Sequence, residues 1–206
     1  LARDFFGIKP VYYAEIDGHF VFASEIKSIL AFPGYERKVN QKALEQYLSF
    51  QYAPLEETFF KGIYKLMPGH MLLYKNGNYE IKTYFKTKLT PDKWNRKTNM
   101  DQLRSQLAEI LKDSVKHHML SDVEVGAFLS GGVDSGYLAS ASGADQAFTV
   151  GFDEGDRYSE VNKAAKVAEK ASLKHHVKII SKQEFWDALP DVMYHMDEPL
   201  GDASAV

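Results

Sequence analysis

Residues 125–135 read VGAFLSGGVDS, and this stretch decides the fold of the chain. Its first five residues form a short apolar run, the length of a strand that is buried on both faces. Gly131 and Gly132 follow, and because glycine has no Cβ, a bound group can approach the backbone closely there. We therefore predict a buried strand, a small polar turn, and then a helix that starts near Ser135 and ends at Gly143.

The polar residues of this turn predict an anion-binding site. The first N–H groups of the following helix have no partners within the helix, and the helix dipole favours negative charge at that end. The hydroxyls of Ser130 and Ser135 add donors, and Asp134 is suited to hold Mg²⁺, a hard cation that prefers carboxylate oxygen. The alternative interpretation is an ordinary glycine turn between a strand and a helix.

Two common phosphate-binding sequence patterns are absent, and their absence indicates which phosphate group the turn could bind. A Walker loop needs Gly-Lys followed by Ser or Thr, and neither a Gly-Lys pair nor a G-x-G-x-x-G pattern occurs in the 206 residues. A turn that lacks the Walker lysine suits pyrophosphate held by amides, hydroxyls and Mg²⁺.

Composition excludes several classes of protein. The chain is 45% hydrophobic and has no apolar run near 18 residues, so we expect no membrane span. It has no cysteine, which rules out disulfides and a cysteine nucleophile within this sequence and fits a cytoplasmic protein. Residues 1–99 carry 15 basic and 10 acidic side chains, whereas residues 100–206 carry 10 and 18. This asymmetry predicts a boundary near residue 99, and the acidic half argues against nucleic-acid binding.

The two halves also differ in their pattern of elements. Asp17-Gly18 and Asn76-Gly77 are strong hairpin signals, so the first half is predicted to be mostly antiparallel strands with short helices. The second half alternates strand and helix three times, which predicts a parallel sheet with right-handed crossovers. A doubly wound sheet usually has more strands. We therefore expect a truncated sheet, and an internal fragment of a longer protein.

Two further segments are candidates for site residues. In open α/β sheets ligands bind beyond the carboxyl ends of the strands, so the backbone at Val150 or Gly151 could flank a nucleotide base; a plain strand exit is the alternative. Residues 197–199, Asp-Glu-Pro, could line a substrate or Mg²⁺ site, or form a solvated loop. The adjacent histidines at 175 and 176 should point in different directions, which argues against a shared metal.

The turn Ser130-Gly131-Gly132-Val133-Asp134-Ser135 resembles the SGGxDS loop of the PP-loop ATP pyrophosphatases. Within that group the chain is similar to the glutamine-dependent asparagine synthetases. Further matching segments are Arg3-Asp4, Phe6-Gly7-Ile8-Lys9-Pro10, Phe22-Ala23-Ser24-Glu25, Leu66-Met67-Pro68-Gly69-His70, Phe148-Thr149-Val150-Gly151-Phe152, Tyr158-Ser159-Glu160 and Asp197-Glu198-Pro199.

The resemblance implies an α/β protein with two partial domains. Residues 1–87 would be the C-terminal part of a glutaminase domain, a mostly antiparallel Ntn-type (class-II amidotransferase) fold. Residues 88–100 would be a linker. Residues 101–206 would be the N-terminal part of a doubly wound PP-loop domain of the adenine nucleotide alpha hydrolase-like type.

The resemblance also implies a reaction. Aspartate would attack the α-phosphorus of ATP to give β-aspartyl-AMP and pyrophosphate, and ammonia from glutamine would then displace AMP to give asparagine. Asp134 would be the catalytic residue and the Mg²⁺ ligand. The ATP-binding residues would be Leu129, Ser130, Gly131, Gly132, Asp134, Ser135, Val150 and Gly151.

Two departures from the family limit what this chain is expected to do. The family's glutaminase uses an N-terminal cysteine, which this sequence lacks, and a second acidic loop of the family would lie beyond Val206. We therefore expect residues 1–206 alone to be inactive. The alternatives are a related adenylating amide former, such as a β-lactam synthetase, and a non-catalytic nucleotide-binding module. The expected partners are ATP, aspartate, and glutamine or ammonia, without nucleic acid or membrane, and the resemblance allows a homodimer.

Overall fold

The computed structural model describes residues 1–88, 99–153 and 160–202. It divides into two compact units. Unit 1 consists of Leu1–Leu89 and Ala188–Val206, and unit 2 consists of Thr90–Asp187. Most of the predicted linker at 88–100 lies outside the described residues, as do Tyr158 and Ser159 of the family-like segments. The predicted division into 1–87, 88–100 and 101–206 stays a prediction.

Unit 1 consists of antiparallel strands and short helices. In chain order its elements are β1 (Tyr12–Ile16), β2 (His19–Ala23), α1 (Ile26–Leu30), α2 (Gln41–Phe50), β3 (Ile63–Lys65), β4 (His70–Lys75) and β5 (Asn78–Thr83). One antiparallel sheet has the order β2-β1-β3, and β4 pairs with β5 in a second. The mostly antiparallel character predicted for the first half is therefore confirmed.

Both predicted hairpin turns are present in unit 1. Asp17 and Gly18 have φ values of 48° and 77°, and Asn76 and Gly77 have φ values of 53° and 79°. Positive φ at both central positions matches the twist of the flanking strands, which is why Asp-Gly and Asn-Gly predict such turns. A buried cluster then packs α1 against this sheet, with Ala14, Ile16, Ile26, Ile29 and Ile63 at its centre.

Unit 2 alternates strands and helices, as predicted. Its elements are α3 (Met100–His118), β6 (Ala127–Phe128), α4 (Val133–Ser142), β7 (Gln146–Phe152), α5 (Val161–Lys170), β8 (Lys174–Ile180) and the start of α6 (Lys182–Met196), whose residues from Ala188 onward belong to unit 1. The strands pair in parallel in the order β6-β7-β8. Leu129, Ala139, Ala147, Ala164 and Ala168 form the core between the sheet and its helices.

The strand at 125–129 is shorter and more exposed than predicted. Its regular part, β6, has two residues, although the Leu129 N–H still donates to the Phe148 carbonyl at 2.9 Å. Leu129 is 2% exposed, whereas Phe128, on the opposite face, is 87% exposed. Side chains alternate along a strand, so the face toward α4 and α5 is buried and the other is open. The prediction of a strand buried on both faces was wrong.

The helices of the described part are all too short or too polar to cross a lipid bilayer.

Candidate functional site

The loop between β6 and α4 depends on glycine at position 131. Gly131 has a φ of +76°, in the left-handed region that side chains other than glycine rarely adopt. A Cβ at this position would lie 2.7 Å from the backbone nitrogen of Ala164 and 2.7 Å from Cβ of Lys163. The loop therefore packs directly on the start of α5, and both its conformation and this contact require the missing side chain.

The structure brings the two serine hydroxyls of the loop together. Ser130 Oγ and Ser135 Oγ are 2.9 Å apart, and Ser135 Oγ accepts a hydrogen bond from the Ser130 N–H at 3.3 Å. The Gly132 N–H donates to Ser130 Oγ at 3.4 Å. The hydroxyls therefore close the turn at the N-terminal end of α4, next to the helix N–H groups that could receive an anion.

Asp134 lies in the first turn of α4 and is exposed to solvent. A carboxylate at this position provides a hard oxygen ligand beside the predicted anion site. Within residues 1–88, 99–153 and 160–202, no three His, Asp or Glu side chains converge in a way that could hold a metal ion. The Mg²⁺ that binds nucleotide phosphates is commonly held by one or two carboxylates together with phosphate oxygens and water, so a single carboxylate fits that role. The assignment of Asp134 stays a prediction.

Buried hydrogen bonds hold Leu129, the residue just before the loop, and the sequence did not predict them. The Thr149 hydroxyl donates to the Leu129 carbonyl at 2.6 Å and lies 2.7 Å from His175 Nε2. A hydroxyl has one hydrogen, so the network assigns the proton on the second contact to His175 Nε2. Thr149 is 5% exposed. Its only signal in the sequence was a hydroxyl residue inside an apolar strand.

The two adjacent histidines of β8 point to opposite faces of the sheet, as predicted. His175 reaches Thr149, whereas His176 stacks on Phe148 with ring centroids 4.9 Å apart. His176 Nε2 also contacts the side-chain oxygen of Gln146 at 2.9 Å. Each ring therefore has a structural role of its own.

The loop glycines and Val150 line two different cavities of unit 2. Gly131 and Gly132 border a cavity of about 700 Å³ between α4 and α5, together with Tyr137 and Lys170. Val150 lines a cavity of about 450 Å³ on the open face of the sheet. Gly151 is buried within β7. Contact of Val150 or Gly151 with a nucleotide base stays a prediction.

The carboxylates of residues 197 and 198 do not form a solvated loop. Asp197 accepts hydrogen bonds from the N–H groups of Ile26, at 2.7 Å, and Lys27, at 3.2 Å. Glu198 accepts one from the N–H of Phe59 at 2.8 Å. Their side chains are 7% and 16% exposed. All these contacts lie within unit 1.

Two family models match the chain one after the other. Residues 1–85 match the model described as a glutamine amidotransferase domain, and residues 106–206 match the model described as asparagine synthase. The second match includes the whole Ser130–Ser135 loop. The combination defines the chain as part of a class in which an amidotransferase segment precedes an asparagine synthase segment.

Proteins similar to the whole chain narrow this class to one family. Glutamine-hydrolyzing asparagine synthetase 1 of Bacillus subtilis (strain 168) is 37% identical over 210 residues, which is 100% of this chain and 32% of that protein. A putative glutamine-hydrolyzing asparagine synthetase of Mycobacterium bovis is 35% identical over 220 residues, with the same two shares. The chain belongs to the glutamine-hydrolysing asparagine synthetase family, and it spans about a third of the length of these relatives.

A solved structure with a partial match is the NH3-dependent NAD synthetase from Campylobacter jejuni. It is 20% identical and covers 46% of this chain and 41% of its own, with a TM-score of 0.29. That TM-score is too low to support an argument about the fold.

Proposed function

We propose that the chain provides the nucleotide-binding loop of an ATP-dependent ligase that converts aspartate to asparagine. The observation that carries this proposal is the loop at 130–135, where a left-handed glycine and two paired serine hydroxyls lie at the start of α4. In the proposed reaction the aspartate carboxylate attacks the α-phosphorus of ATP, and the bond to the β-phosphate breaks. Pyrophosphate leaves, and ammonia then displaces AMP from the β-aspartyl-AMP intermediate.

The loop is suited to hold the pyrophosphate part of the nucleotide. N–H groups in the first turn of α4 point toward the loop, and the helix dipole adds positive potential there. The missing side chains at Gly131 and Gly132 let phosphate oxygens approach the backbone. Ser130 and Ser135 offer hydroxyl donors once their mutual contact opens toward a ligand. The chain therefore contributes positioning and charge stabilisation, and needs no acid–base group of its own.

Mg²⁺ would be held by Asp134, whose exposed carboxylate lies beside the loop. When bound, the ion would neutralise charge on the phosphate oxygens. Residues 129–135 of this chain would bind and orient the nucleotide around it.

The domain assignment follows from the same proposal. Residues 1–87 would be the C-terminal part of an Ntn-type glutaminase, and the amidotransferase match over 1–85 supports this. Residues 88–100 would be a linker, and 101–206 would begin the ATP-pyrophosphatase domain, which the asparagine synthase match over 106–206 supports. A cytoplasmic location and a homodimer stay predictions.

The test uses ATP labelled at the α-phosphate and the natural protein that carries this sequence. With aspartate and ammonium present, the label should appear in AMP, with an equal amount of pyrophosphate. Label in ADP would overturn the assignment. ATP binding without turnover would favour the non-catalytic nucleotide-binding module. Replacing aspartate with a panel of other carboxylates, β-lactam precursors among them, separates an asparagine synthetase from a related amide former.

Asp134→Asn tests the residue assigned to Mg²⁺. Loss of the carboxylate should lower AMP formation at least ~100-fold, the scale of removing a charge-stabilising group from a transition state. The thermal midpoint should fall only slightly, since Asp134 is exposed and a carboxylate in the first turn of a helix contributes only ~0.3–1 kcal/mol. Asp122→Asn, at another exposed aspartate of unit 2, is the matched control and should keep full activity. Full activity in Asp134→Asn would show that another group holds the ion.

A further inference from the structure

Two consecutive carboxylates directly after α6 bind the backbone of residues far away in the sequence. Asp197 Oδ2 accepts from the Ile26 N–H at 2.7 Å, and Oδ1 accepts from the Lys27 N–H at 3.2 Å, across 171 and 170 positions. Glu198 Oε1 accepts from the Phe59 N–H at 2.8 Å, across 139 positions. We call Asp197 and Glu198 together the acidic clamp.

Each carboxylate of the acidic clamp also has a cation beside it. Lys27 Nζ lies 3.0 Å from Asp197 Oδ1, and its ammonium sits 5.2 Å from the centre of the Tyr194 ring. Lys65 Nζ lies 3.6 Å from Glu198 Oε2. All four charged side chains are less than one-fifth exposed. Removing one member of a pair as buried as these leaves its partner charge without compensation.

The backbone at Asp197 is held in an uncommon conformation. Its φ is +64°, in the left-handed region, where aspartate is tolerated more easily than most residues but still rarely found. Such a conformation persists when surrounding contacts fix it. The two hydrogen bonds from Ile26 and Lys27 are contacts of that kind, and they set the direction in which the chain leaves α6.

The two sides of this contact come from different family segments. Ile26, Lys27, Phe59 and Lys65 lie within residues 1–85, which match the amidotransferase model. The acidic clamp lies within residues 106–206, which match the asparagine synthase model. The clamp therefore fastens one segment to the other inside unit 1.

A contact that holds the two family segments together matters for a reaction that consumes ammonia. Hydrolysis of the glutamine side-chain amide by water gives glutamate and ammonia, and ammonia that escapes into neutral water is protonated and loses its nucleophilic lone pair. Contacts that fasten a segment that releases ammonia to a segment that uses it would therefore reduce this loss. We propose that Asp197 and Glu198 are positioning residues that couple glutamine hydrolysis to amide formation, an inference that rests on the proposed function.

The test compares two nitrogen sources in the natural protein that carries this sequence. The variant is D197N/E198Q, which keeps the size of both side chains and removes both charges. With ammonium, the variant should form AMP within about twofold of the wild-type rate. With glutamine, the ratio of asparagine to glutamate formed should fall at least about threefold, because more ammonia is lost to solvent. Asp191→Asn, an exposed aspartate on α6, is the matched control and should keep the wild-type ratio.

The outcomes separate coupling from simple structural support. The ammonium-dependent rate reports the folded fraction of each sample, so a partly unfolded variant is corrected by its own measurement. An unchanged product ratio would overturn the inference, as would an equal loss of activity with both nitrogen sources. If the double variant does not fold, Glu198→Gln alone removes only the charge facing Lys65, and its ratio should fall by a smaller factor. A wild-type protein that makes no AMP with either source would overturn the proposed function instead.

Discussion

Gly131 is the residue on which the conformation of the candidate site depends most directly. Its neighbours Ser130 and Gly132 predicted a turn that a phosphate could approach, and the structure adds a second constraint, because the loop packs directly on the start of α5. That contact could not be inferred from local sequence, since Lys163 and Ala164 are more than 30 positions away. The residue is thus required for its φ and for its lack of volume.

Gly131→Ala should destabilise the protein by about 2–5 kcal/mol. The left-handed conformation costs a residue with a Cβ ~1–2 kcal/mol, and overpacking against α5 adds ~1–3 kcal/mol. Gly143→Ala is the matched control, because Gly143 has a φ of +69° but open space where its Cβ would be. Gly143→Ala should therefore lower the free energy of unfolding only by the ~1–2 kcal/mol of the left-handed conformation. Urea unfolding of both variants measures the difference, and equal costs would show that the loop can move away from α5.

The Thr149–His175 pair shows what residue-level reasoning missed. Thr149 lies in β7 and His175 in β8, and the prediction that the two adjacent histidines point in different directions is confirmed. The hydrogen bond from Thr149 to the Leu129 carbonyl depends on the pairing of three strands. The sequence alone does not show which strands are neighbours, so this contact could not be predicted from it.

At the scale of elements, the strand–helix alternation was predictable and the burial of single strands was not. The pattern predicted the parallel pairing of β6, β7 and β8, and Gly143 ends α4 in the left-handed conformation expected of it. The apolar run at 125–129 predicted burial on both faces, but Phe128 and Phe148 lie on an open face. An apolar run shows that a strand is hydrophobic, but whether each face is buried depends on which other elements pack against it.

A capping box at the start of α6, formed by Ser181 and Glu184, gives a test by pH. Glu184 accepts hydrogen bonds from the N–H and hydroxyl of Ser181, and Lys178 Nζ lies 2.8 Å away. These contacts lower the pKa of Glu184 from 4.5 to about 2, with the largest effect from Lys178 and smaller effects from the hydrogen bonds of Ser181. Because the folded pKa is below the unfolded one, the carboxylate stabilises α6 above about pH 4.5, and this stabilisation is lost as pH falls toward about 2.

Titration of the Glu184 carboxyl by NMR measures this directly. The expected midpoint lies near 2, and Lys178→Met together with Ser181→Ala should return it toward 4.5. An ordinary midpoint in the wild-type chain would mean that the capping box does not form in solution.

At the scale of the whole molecule, the sequence did not predict that the end of the chain returns to its first part. The shift in charge predicted one boundary near residue 99, whereas residues from Ala188 onward belong with the first 89 residues in unit 1. The acidic residues at 197 and 198 were predicted to line a ligand site or a solvated loop. Their hydrogen-bond partners are backbone N–H groups, which every residue except proline possesses, so no residue type in the sequence marked these bonds.

Unit 1 should therefore depend on the last part of the chain for its stability. A chain that ends at Met196 lacks the acidic clamp, and a chain that ends at Asp202 keeps it. Hydrogen bonds to charged groups contribute about 1.5–3 kcal/mol each, and the three bonds are not additive because they share two side chains. We expect the shorter chain to be less stable by roughly 3–5 kcal/mol, with the Ile26 and Phe59 amides exchanging hydrogen faster. The chain ending at Asp202 should match the full chain within about 0.5 kcal/mol. If both shortened chains unfold at the same urea concentration, the acidic clamp does not hold unit 1 together.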